Sequence, residues 1–308
     1  MNQKTIKRVP KKVIITSSDK IETHSLQKTE SSKFLFWNVL KKDLSSIVRD
    51  IALHNDADFI LLAELKREDT KVYQTELNKS GYKLRSLSTA KVKIFDRLTL
   101  GPEKSVALPK DIKFSQKNRI TSMIYNINGE RILLVGIHLF SKASMKHDSS
   151  RKGFAKLTLE VIEHIEKVHE IDKTIIMGDF NVNPYESAMI DFFGMHATMC
   201  KNTAMKEIRE IAGETRRYLF NPSWQAYSNV GLNNAPVGTY YYNEKYDTTL
   251  PFWNVLDQVL IRPKLVQSSL KFEIISSAGK KVPTLLSEGI PDKENYSDHL
   301  PILYTINL

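Results

Sequence analysis

Several polar side chains that can carry acid–base or metal chemistry stand at the ends of short apolar runs. Asn38 follows KFLFW, Glu64 follows DFILLA, His138 follows ILLVGI and Asp179 follows TIIMG. Runs of this kind are typical of buried β-strands, and strand ends in a packed α/β sheet open at a shared edge. We therefore expect these side chains to converge on one pit.

Further groups of the same chemical types occur later in the chain. Asn181 ends the segment GDFN, Asp257 lies within VLDQVLI, and Asp298 and His299 occupy SDH. Carboxylate and amide oxygens suit a hard cation such as Mg²⁺ or Mn²⁺. The single cysteine, Cys200, excludes a zinc cluster built on several thiolates. Imidazoles add proton donors and ligands for phosphate oxygens, so the set indicates hydrolysis of a phosphate ester.

Each residue also has a purely structural interpretation. Asn38 can be a turn residue, Asp179 can cap a helix before Pro184, and Asp257 can pair with Arg262. The remaining histidines have no such setting and are interpreted as surface or packing residues; they are His24, His54, His147, His164, His169 and His196.

The elements that must position these residues are apolar strands alternating with helices. The longest amphipathic pattern predicts a helix over 149–169, and shorter ones predict helices after Asp43, over 69–78 and from Pro184. Asn128-Gly129 predicts a hairpin, because both residues tolerate positive φ. Strands are predicted at 33–40, 58–65, 82–87, 104–108, 120–126, 131–140, 174–178, 255–261, 270–275 and 300–306. This pattern favours two packed sheets covered by helices.

Length and composition fit an ordinary globular protein. The chain has 308 residues, 41% of them hydrophobic and 26% charged, which excludes wholesale disorder and allows one large domain. No apolar run approaches the ~20 residues that a transmembrane helix needs. We identify no signal peptide, and one cysteine fits a reducing compartment, so a cytoplasmic location is expected.

The net charge of +10 is concentrated at the N-terminus. Residues 1–33 hold eight Lys and Arg against three acidic residues. We predict a basic, mobile arm over residues 1–32 and a single domain over 33–308. Such a charge distribution favours a polyanionic partner, either nucleic acid or a membrane surface.

The ordered segments WN, LLAE, HL, GDFN, LDQ and SDH resemble the endonuclease/exonuclease/phosphatase superfamily. The resemblance runs from about residue 33 to the C-terminus. It implies an α+β fold, a four-layer αββα sandwich of two packed mixed β-sheets flanked by helices. It also implies that 33–308 is the catalytic domain of a Mg²⁺-dependent phosphoesterase, with Mn²⁺ as an expected substitute.

The resemblance assigns a role to each matching position. Asn38 and Glu64 would orient and bind the principal metal, with help from Asp298. Asp179 would orient or deprotonate the attacking water. Asn181 would hold a phosphate oxygen.

The histidines receive roles in the same way. His138 would act as an acid or as a phosphate ligand. His299 would contact the scissile phosphate, with Asp257 fixing its tautomer. Basic residues near these segments are candidates for binding substrate phosphates, although such residues are more often solvated surface; they are Lys66, Arg67, Lys142 and Arg151.

Local motifs help to distinguish the branches of the superfamily. Abasic endonucleases carry Trp-Arg-x-Asp-Tyr where this chain reads WNVLDQ, and inositol phosphatases follow Asp-x-Asn with Tyr-Arg where this chain has VNP. We therefore expect a nuclease that binds DNA or RNA through the phosphate backbone. The alternatives are a lipid or small-molecule phosphodiesterase or phosphatase, and a non-catalytic nucleic-acid-binding module. The aromatic segment 224–253 would form either a stacking surface for bases or a hydrophobic lid.

Overall fold

The computed structural model describes residues 31–86, 89–97, 101–105, 118–231, 236–244 and 251–308. The predicted arm lies outside the described residues, except that Ser31 and Ser32 already belong to the first strand. Within the described residues no helix has the length and apolar character needed to cross a membrane.

Two large mixed sheets form the centre of the molecule. In chain order the strands are β1 (Ser31–Asn38), β2 (Phe59–Ala63), β3 (Tyr82–Leu84), β4 (Val92–Arg97), β5 (Pro102–Ser105), β6 (Ile120–Ile127), β7 (Glu130–His138), β8 (Thr174–Asp179), β9 (Ala197–Thr198), β10 (Ile208–Ile211), β11 (Glu214–Arg217), β12 (Leu219–Phe220), β13 (Tyr240–Tyr241), β14 (Trp253–Asn254), β15 (Asp257–Ile261), β16 (Ser269–Ile274), β17 (Leu286–Ser287), β18 (Ile290–Pro291) and β19 (Ile302–Asn307). The first sheet has the order β16-β19-β1-β2-β4-β3 and the second β5-β6-β7-β8-β15-β12-β9. The remaining strands form two-stranded hairpins or ribbons: β10 with β11, β13 with β14 and β17 with β18.

Helices cover the outer faces of both sheets. They are α1 (Ser45–His54), α2 (Thr70–Asn78), α3 (Asp148–His169), α4 (Ser187–Ile190) and α5 (Lys201–Ala204), with 3₁₀ turns at Pro222–Asn229 and Pro263–Leu265. One apolar core lies between the two sheets, where Phe34, Leu61 and Ile175 meet. A second core lies under α3, and a third under α1 and α2. The predicted four-layer αββα arrangement is confirmed.

Strand register brings the predicted site residues to one edge. β1 and β2 are parallel, with Asn38 opposite Ala63. β7 and β8 are also parallel, and His138 lies opposite Asp179. β15 is antiparallel to β8, so its first residue, Asp257, lies beside Asp179. Because β15 runs in the opposite direction, its first residue lies at the same edge of the sheet as the last residues of β7 and β8.

Most predicted elements are present with boundaries shifted by a few residues. The hairpin at Asn128-Gly129 is confirmed, with φ of 51° and 85°. The helix predicted from Pro184 is wrong: a turn occupies that position, and α4 begins only at Ser187. Strand β4 and the β10–β11 hairpin were not predicted. β4 escapes a hydrophobicity pattern because its polar residues Lys93 and Asp96 are both buried.

Candidate active site

Asn38 connects the two sheets at the edge where the candidate residues meet. It ends β1, and its amide nitrogen donates to Asp179 Oδ2 at 3.1 Å and to Glu64 Oε1 at 3.5 Å. Its amide oxygen accepts from the backbone N–H of Leu40 at 3.1 Å. Glu64 follows β2 with φ of 54°, a left-handed conformation that is unusual for a non-glycine residue. Asn38 therefore orients both carboxylates and is not a simple turn residue.

His138 lies between the carboxylates of Glu64 and Asp179. Its Nε2 is 3.6 Å from Glu64 Oε1 and 3.7 Å from Asp179 Oδ2. The second oxygen of Asp179 accepts the backbone N–H of Asn181 at 2.8 Å. Asn181 itself has φ of 55°, and its amide nitrogen donates to the carbonyl of Leu139 at 3.2 Å. Asp179 is thus held on two sides by neutral donors and does not cap a helix.

Asp257 and His299 form a buried pair although they are 42 residues apart in the chain. His299 Nδ1 is 2.8 Å from Asp257 Oδ2. An ionised carboxylate can only accept, so Nδ1 carries the proton and Nε2 is left for other partners. The indole N–H of Trp37 donates to the backbone carbonyl of His299 at 2.7 Å, which holds the backbone at this residue. The alternative pairing of Asp257 with Arg262 is wrong, because Arg262 binds Glu166 instead, at 2.7 Å.

The surroundings raise the pKa values of Asp179 and His299 and lower that of His138. Burial raises the pKa of Asp179 to about 7, and the charge of Asp257 adds to this effect. Burial alone would lower the pKa of His299, but the carboxylates of Asp257, Asp179 and Asp298 outweigh it and raise that pKa to about 10. Strongly perturbed groups in one cleft are typical of catalytic sites.

His138 behaves in the opposite way to His299. Burial lowers the pKa of His138 to about 3, with further contributions from the positive charges of Arg119 and Lys91. At neutral pH this imidazole is therefore uncharged, whereas His299 is protonated. Of the two roles that the resemblance left open for His138, a neutral hydrogen-bonding ligand agrees with this pKa better than an acid.

These residues lie in an open cleft of about 860 Å³. Glu64, His138, Asp179, Asn181, Asp298 and His299 line it, while Asp257 lies behind His299. Basic side chains surround the acidic centre, a distribution suited to an anionic substrate. They are Lys41, Lys66, Lys91, Arg119 and Lys142.

The four basic residues predicted to bind substrate divide into two groups. Lys66 and Lys142 line the cleft, and the ammonium of Lys142 is 2.9 Å from Glu186 Oε1. Arg67 and Arg151, both within the described part of the chain, lie outside the cleft lining. Arg151 instead donates to the backbone carbonyls of Met145 and Lys146, at 3.0 and 2.8 Å.

Arg119 and Lys91 were missed by sequence reasoning, and Tyr240 was considered only as part of the aromatic segment 224–253. Arg119 lies just before β6 and donates to the carbonyls of His138 and Leu139 at 2.9 and 3.0 Å. Lys91 precedes β4, the strand that was not predicted. The ring of Tyr240 is 4.8 Å from that of His299. Of the two missed residues, only Arg119 had a sequence signal, because the hairpin at Asn128-Gly129 implies that the start of β6 lies beside the end of β7.

The aromatic segment 224–253 does not act as one unit. Trp224 packs against Tyr227, with ring centroids 5.7 Å apart, in a 3₁₀ turn that contacts β15 and β16. Tyr240 and Tyr242 lie in the cleft lining, with near-parallel rings 6.4 Å apart. Residues 232–235 and 245–250 of this segment lie outside the described residues.

The donor set fits a hard divalent cation. Among the described residues, Oδ1 of Asp298 is buried without a hydrogen-bond partner, an arrangement that is costly unless a cation or water satisfies it. Possible ligand atoms of Asp179, Asp257 and His299 lie within 4.8 Å of one another. Asp257 Oδ2 is already bonded to His299 Nδ1, and Asp257 Oδ1, like Oδ1 of Asp298, is buried without a hydrogen-bond partner among the described residues. Glu64 and Asp298 line the cleft whereas Asp257 does not, so their oxygens are the better-placed ligands.

No sequence profile of a known protein family matches the chain, and no curated protein sequence matches it. Solved structures do match its fold. An endonuclease/exonuclease/phosphatase family protein from Bacteroides thetaiotaomicron has a TM-score of 0.59 and 14% identity, covering 90% of this chain and 95% of that chain. D. rerio TDP2, in complex with a single-strand DNA product, has a TM-score of 0.56 and 18% identity, covering 90% and 99%.

A further similar structure is an AP endonuclease from Archaeoglobus fulgidus. Its TM-score is 0.54 and its identity 16%, covering 90% of this chain and all of that chain. At identities of 14–18%, these similarities are similarities of fold. The fold that the resemblance implied is thereby confirmed: the chain has the fold of the endonuclease/exonuclease/phosphatase superfamily.

Proposed function

We propose that this protein is a divalent-metal-dependent phosphodiesterase, and specifically a nuclease that hydrolyses DNA or RNA. The observation that carries the proposal is the meeting of the Asp257–His299 pair with Asp179 at one cleft edge. In this proposal the imidazolium of His299 would stabilise the charge that develops on the phosphate, and Asp179 supplies a carboxylate beside it. A set that holds both an acid and a base in one cleft suits ester hydrolysis.

Each residue has a defined task in this proposal. Asp179, oriented by Asn38 and Asn181, accepts a proton from the attacking water. His299 donates through Nε2 to a phosphate oxygen, while Asp257 keeps Nδ1 protonated. Asn181 and neutral His138 contribute further hydrogen bonds to the phosphate. Glu64 and Asp298, with Asn38 orienting Glu64, would hold Mg²⁺ or Mn²⁺, which when bound neutralises phosphate charge.

Nucleic acid is the proposed substrate because of the charge around the cleft. Lys41, Lys66 and Lys91 line it, so that an extended phosphate backbone would meet positive charge beyond the reacting group. The similar structures support this choice, since one holds a single-strand DNA product and another is an AP endonuclease.

The test is a panel of end-labelled DNA and RNA, single- and double-stranded, incubated with Mg²⁺ or Mn²⁺. The panel also includes a phospholipid and a small phosphodiester. We expect cleavage of at least one nucleic acid, a loss on the order of 10²–10⁴-fold in Asp179→Asn, and loss of activity with a chelator. Asp172→Asn, which alters an exposed carboxylate remote from the cleft, is the matched control.

Each alternative function predicts a different result in this panel. Hydrolysis of the lipid or the small diester alone would replace the nuclease proposal by a lipid or small-molecule phosphodiesterase. Tight binding of nucleic acid without hydrolysis of any substrate would indicate a binding module. Full activity in Asp179→Asn would contradict the assignment of the site.

A further inference from the structure

Thr239 is a fully buried residue that bonds to the backbone of Asp257 and to that of Leu300, which follows His299. Its hydroxyl oxygen accepts from the backbone N–H groups of Leu256 and Asp257, both at 3.1 Å. Its backbone N–H donates to the carbonyl of Asn254 at 2.8 Å, and its carbonyl accepts from Leu300 at 2.7 Å. The residue therefore bonds directly to the backbone of Asp257 and to that of the neighbour of His299.

The hydroxyl of Thr239 accepts hydrogen bonds on a side of β15 where no neighbouring strand pairs with its first residues. On one side β15 is paired with β8 along its length. On the other side, its partner β12 is paired with it only between Phe220 and Ile261. The backbone N–H groups of the earlier part of β15 must find other acceptors on that side, since a buried and unpaired N–H costs free energy.

Two buried hydroxyls accept these N–H groups at alternate residues of the strand. Thr239 accepts the N–H of Asp257, and Ser223 accepts the N–H of Val259 at 2.8 Å. Both residues are fully buried. They differ in the residue whose N–H they accept. Thr239 bonds to Asp257, which is paired with His299, whereas Ser223 bonds to Val259, a core residue between the sheets.

The segment that follows Thr239 also lies against His299. Tyr240 forms an isolated β-bridge with His299, and their rings are 4.8 Å apart. The position of the imidazole is thus set from two directions that share Thr239: through the backbone of β15 to Asp257, and through Tyr240 and Leu300 to His299 itself.

We propose that Thr239 is a positioning residue that holds Asp257 at hydrogen-bonding distance from His299 through its hydroxyl. This inference rests on the proposed function for its kinetic consequence, but its structural content does not. A valine at position 239 has nearly the same shape but no acceptor, so it leaves the N–H of Asp257 unpaired and allows the start of β15 to move. A displacement of about 1 Å in a catalytic group can cost on the order of a hundredfold in rate.

The experiment compares Thr239→Val, Thr239→Ser and Ser223→Ala with the wild type. Thr239→Val removes the acceptor of two backbone N–H groups and Ser223→Ala the acceptor of one, so we expect both variants to lose stability, Thr239→Val by more. Only Thr239→Val should lower kcat, by about tenfold to a hundredfold with KM little changed. Thr239→Ser keeps the oxygen and should retain a kcat within about threefold of the wild type.

A second measurement does not depend on enzyme activity. The proton on His299 Nδ1 should give a low-field NMR resonance, assigned by its disappearance in His299→Gln. We expect this resonance to be shifted or abolished in Thr239→Val and unchanged in Thr239→Ser and Ser223→Ala.

These readouts separate the two proposals. If the wild type cleaves no phosphodiester but the resonance follows the expected order, the proposed function fails and the positioning role stands. If Ser223→Ala lowers kcat as much as Thr239→Val, or if a folded Thr239→Ser loses kcat or the resonance, the positioning role is overturned. Should Thr239→Val fail to fold, Thr239→Ser and Ser223→Ala still decide the question.

Discussion

Asp179 and His299 must be in opposite protonation states for the proposed chemistry. Burial favours the protonated form of Asp179 and raises its pKa to about 7, but this residue must lose its proton to act as a base. His299 has to keep its proton, and after the opposing effect of burial its carboxylate neighbours hold that pKa near 10. A cation bound at Glu64 would favour the deprotonated form of Asp179 and so extend the active range to lower pH.

The first prediction is a pH profile with two limbs. At subsaturating Mg²⁺ we expect kcat/KM to rise through about pH 7, as Asp179 deprotonates, and to fall near pH 10, as His299 loses its proton. Saturating Mg²⁺ should move the acid limb below pH 7. Asp257→Asn removes the charge that stabilises the imidazolium, so the alkaline limb should move down by more than one unit. An unmoved alkaline limb in that variant would show that His299 does not set it.

A second prediction at the residue scale separates metal binding from phosphate binding. Glu64→Gln keeps an oxygen but loses a charge, so we expect the Mg²⁺ concentration for half-maximal activity to rise roughly tenfold. High Mn²⁺ should restore part of the rate, because Mn²⁺ accepts weaker ligand sets. His299→Ala removes a donor to the phosphate, and no metal concentration should restore it. Metal titrations of both variants decide this, and the reverse pattern would exchange the two roles.

At the scale of elements, strand β8 must lie close to β7 to set Asp179 beside His138. Gly178 is opposite Ile137 in this parallel pair. A Cβ at Gly178 would collide with the backbone carbonyl of Ile137. The glycine of the GDFN motif therefore has a steric reason that is separate from the chemistry of the residues after it.

The third prediction follows from this close approach. Gly178→Ala should lower the free energy of unfolding by about 1–3 kcal/mol or more, because the two strands must separate to admit the methyl group. The matched control is Gly153→Ala in α3, where a Cβ meets open space. That substitution should stabilise the protein by about 0.5–1 kcal/mol, through helix propensity alone. Urea unfolding of the two variants measures the difference; equal stabilities would contradict the packing argument.

At the scale of the whole molecule, positive charge is distributed between the cleft and the N-terminal segment. Lys41, Lys66 and Lys91 lie at the cleft, whereas the eight basic residues of 1–33 precede nearly all of the described residues. If the protein binds a polyanion as proposed, we expect both sets of charges to contribute to the affinity, and the cleft residues to act near the reacting phosphate.

The fourth prediction tests this division. Deleting residues 1–30 should weaken nucleic-acid binding and reduce the slope of log Kd against log salt by about 0.7–0.9 for each phosphate that the segment neutralises. Turnover at saturating substrate should persist, because the site residues lie elsewhere. A full-length variant with the Lys and Arg of this segment replaced by Gln controls for chain length. An unchanged salt slope in both variants would exclude an electrostatic role for the segment.

The sequence by itself determined the layered α+β fold and the identities of the residues at the strand ends. The reason is local: apolar runs mark buried strands, and the polar residues that end them belong to short motifs such as GDFN and SDH. The strand β4 was missed because burial of Lys93 and Asp96 hides it from a hydrophobicity pattern.

Only the tertiary structure decided which of these residues touch. Arg151 bonds to the nearby carbonyls of Met145 and Lys146 and does not line the cleft. The pairing of Asp257 with His299 and not Arg262, and the contact of Thr239 with Asp257, join residues 42 and 18 positions apart in the chain. Such contacts depend on strand order and register, which a difference of one residue would change. A sequence pattern specifies the face of each strand, but the distances between catalytic groups come from how the strands pair.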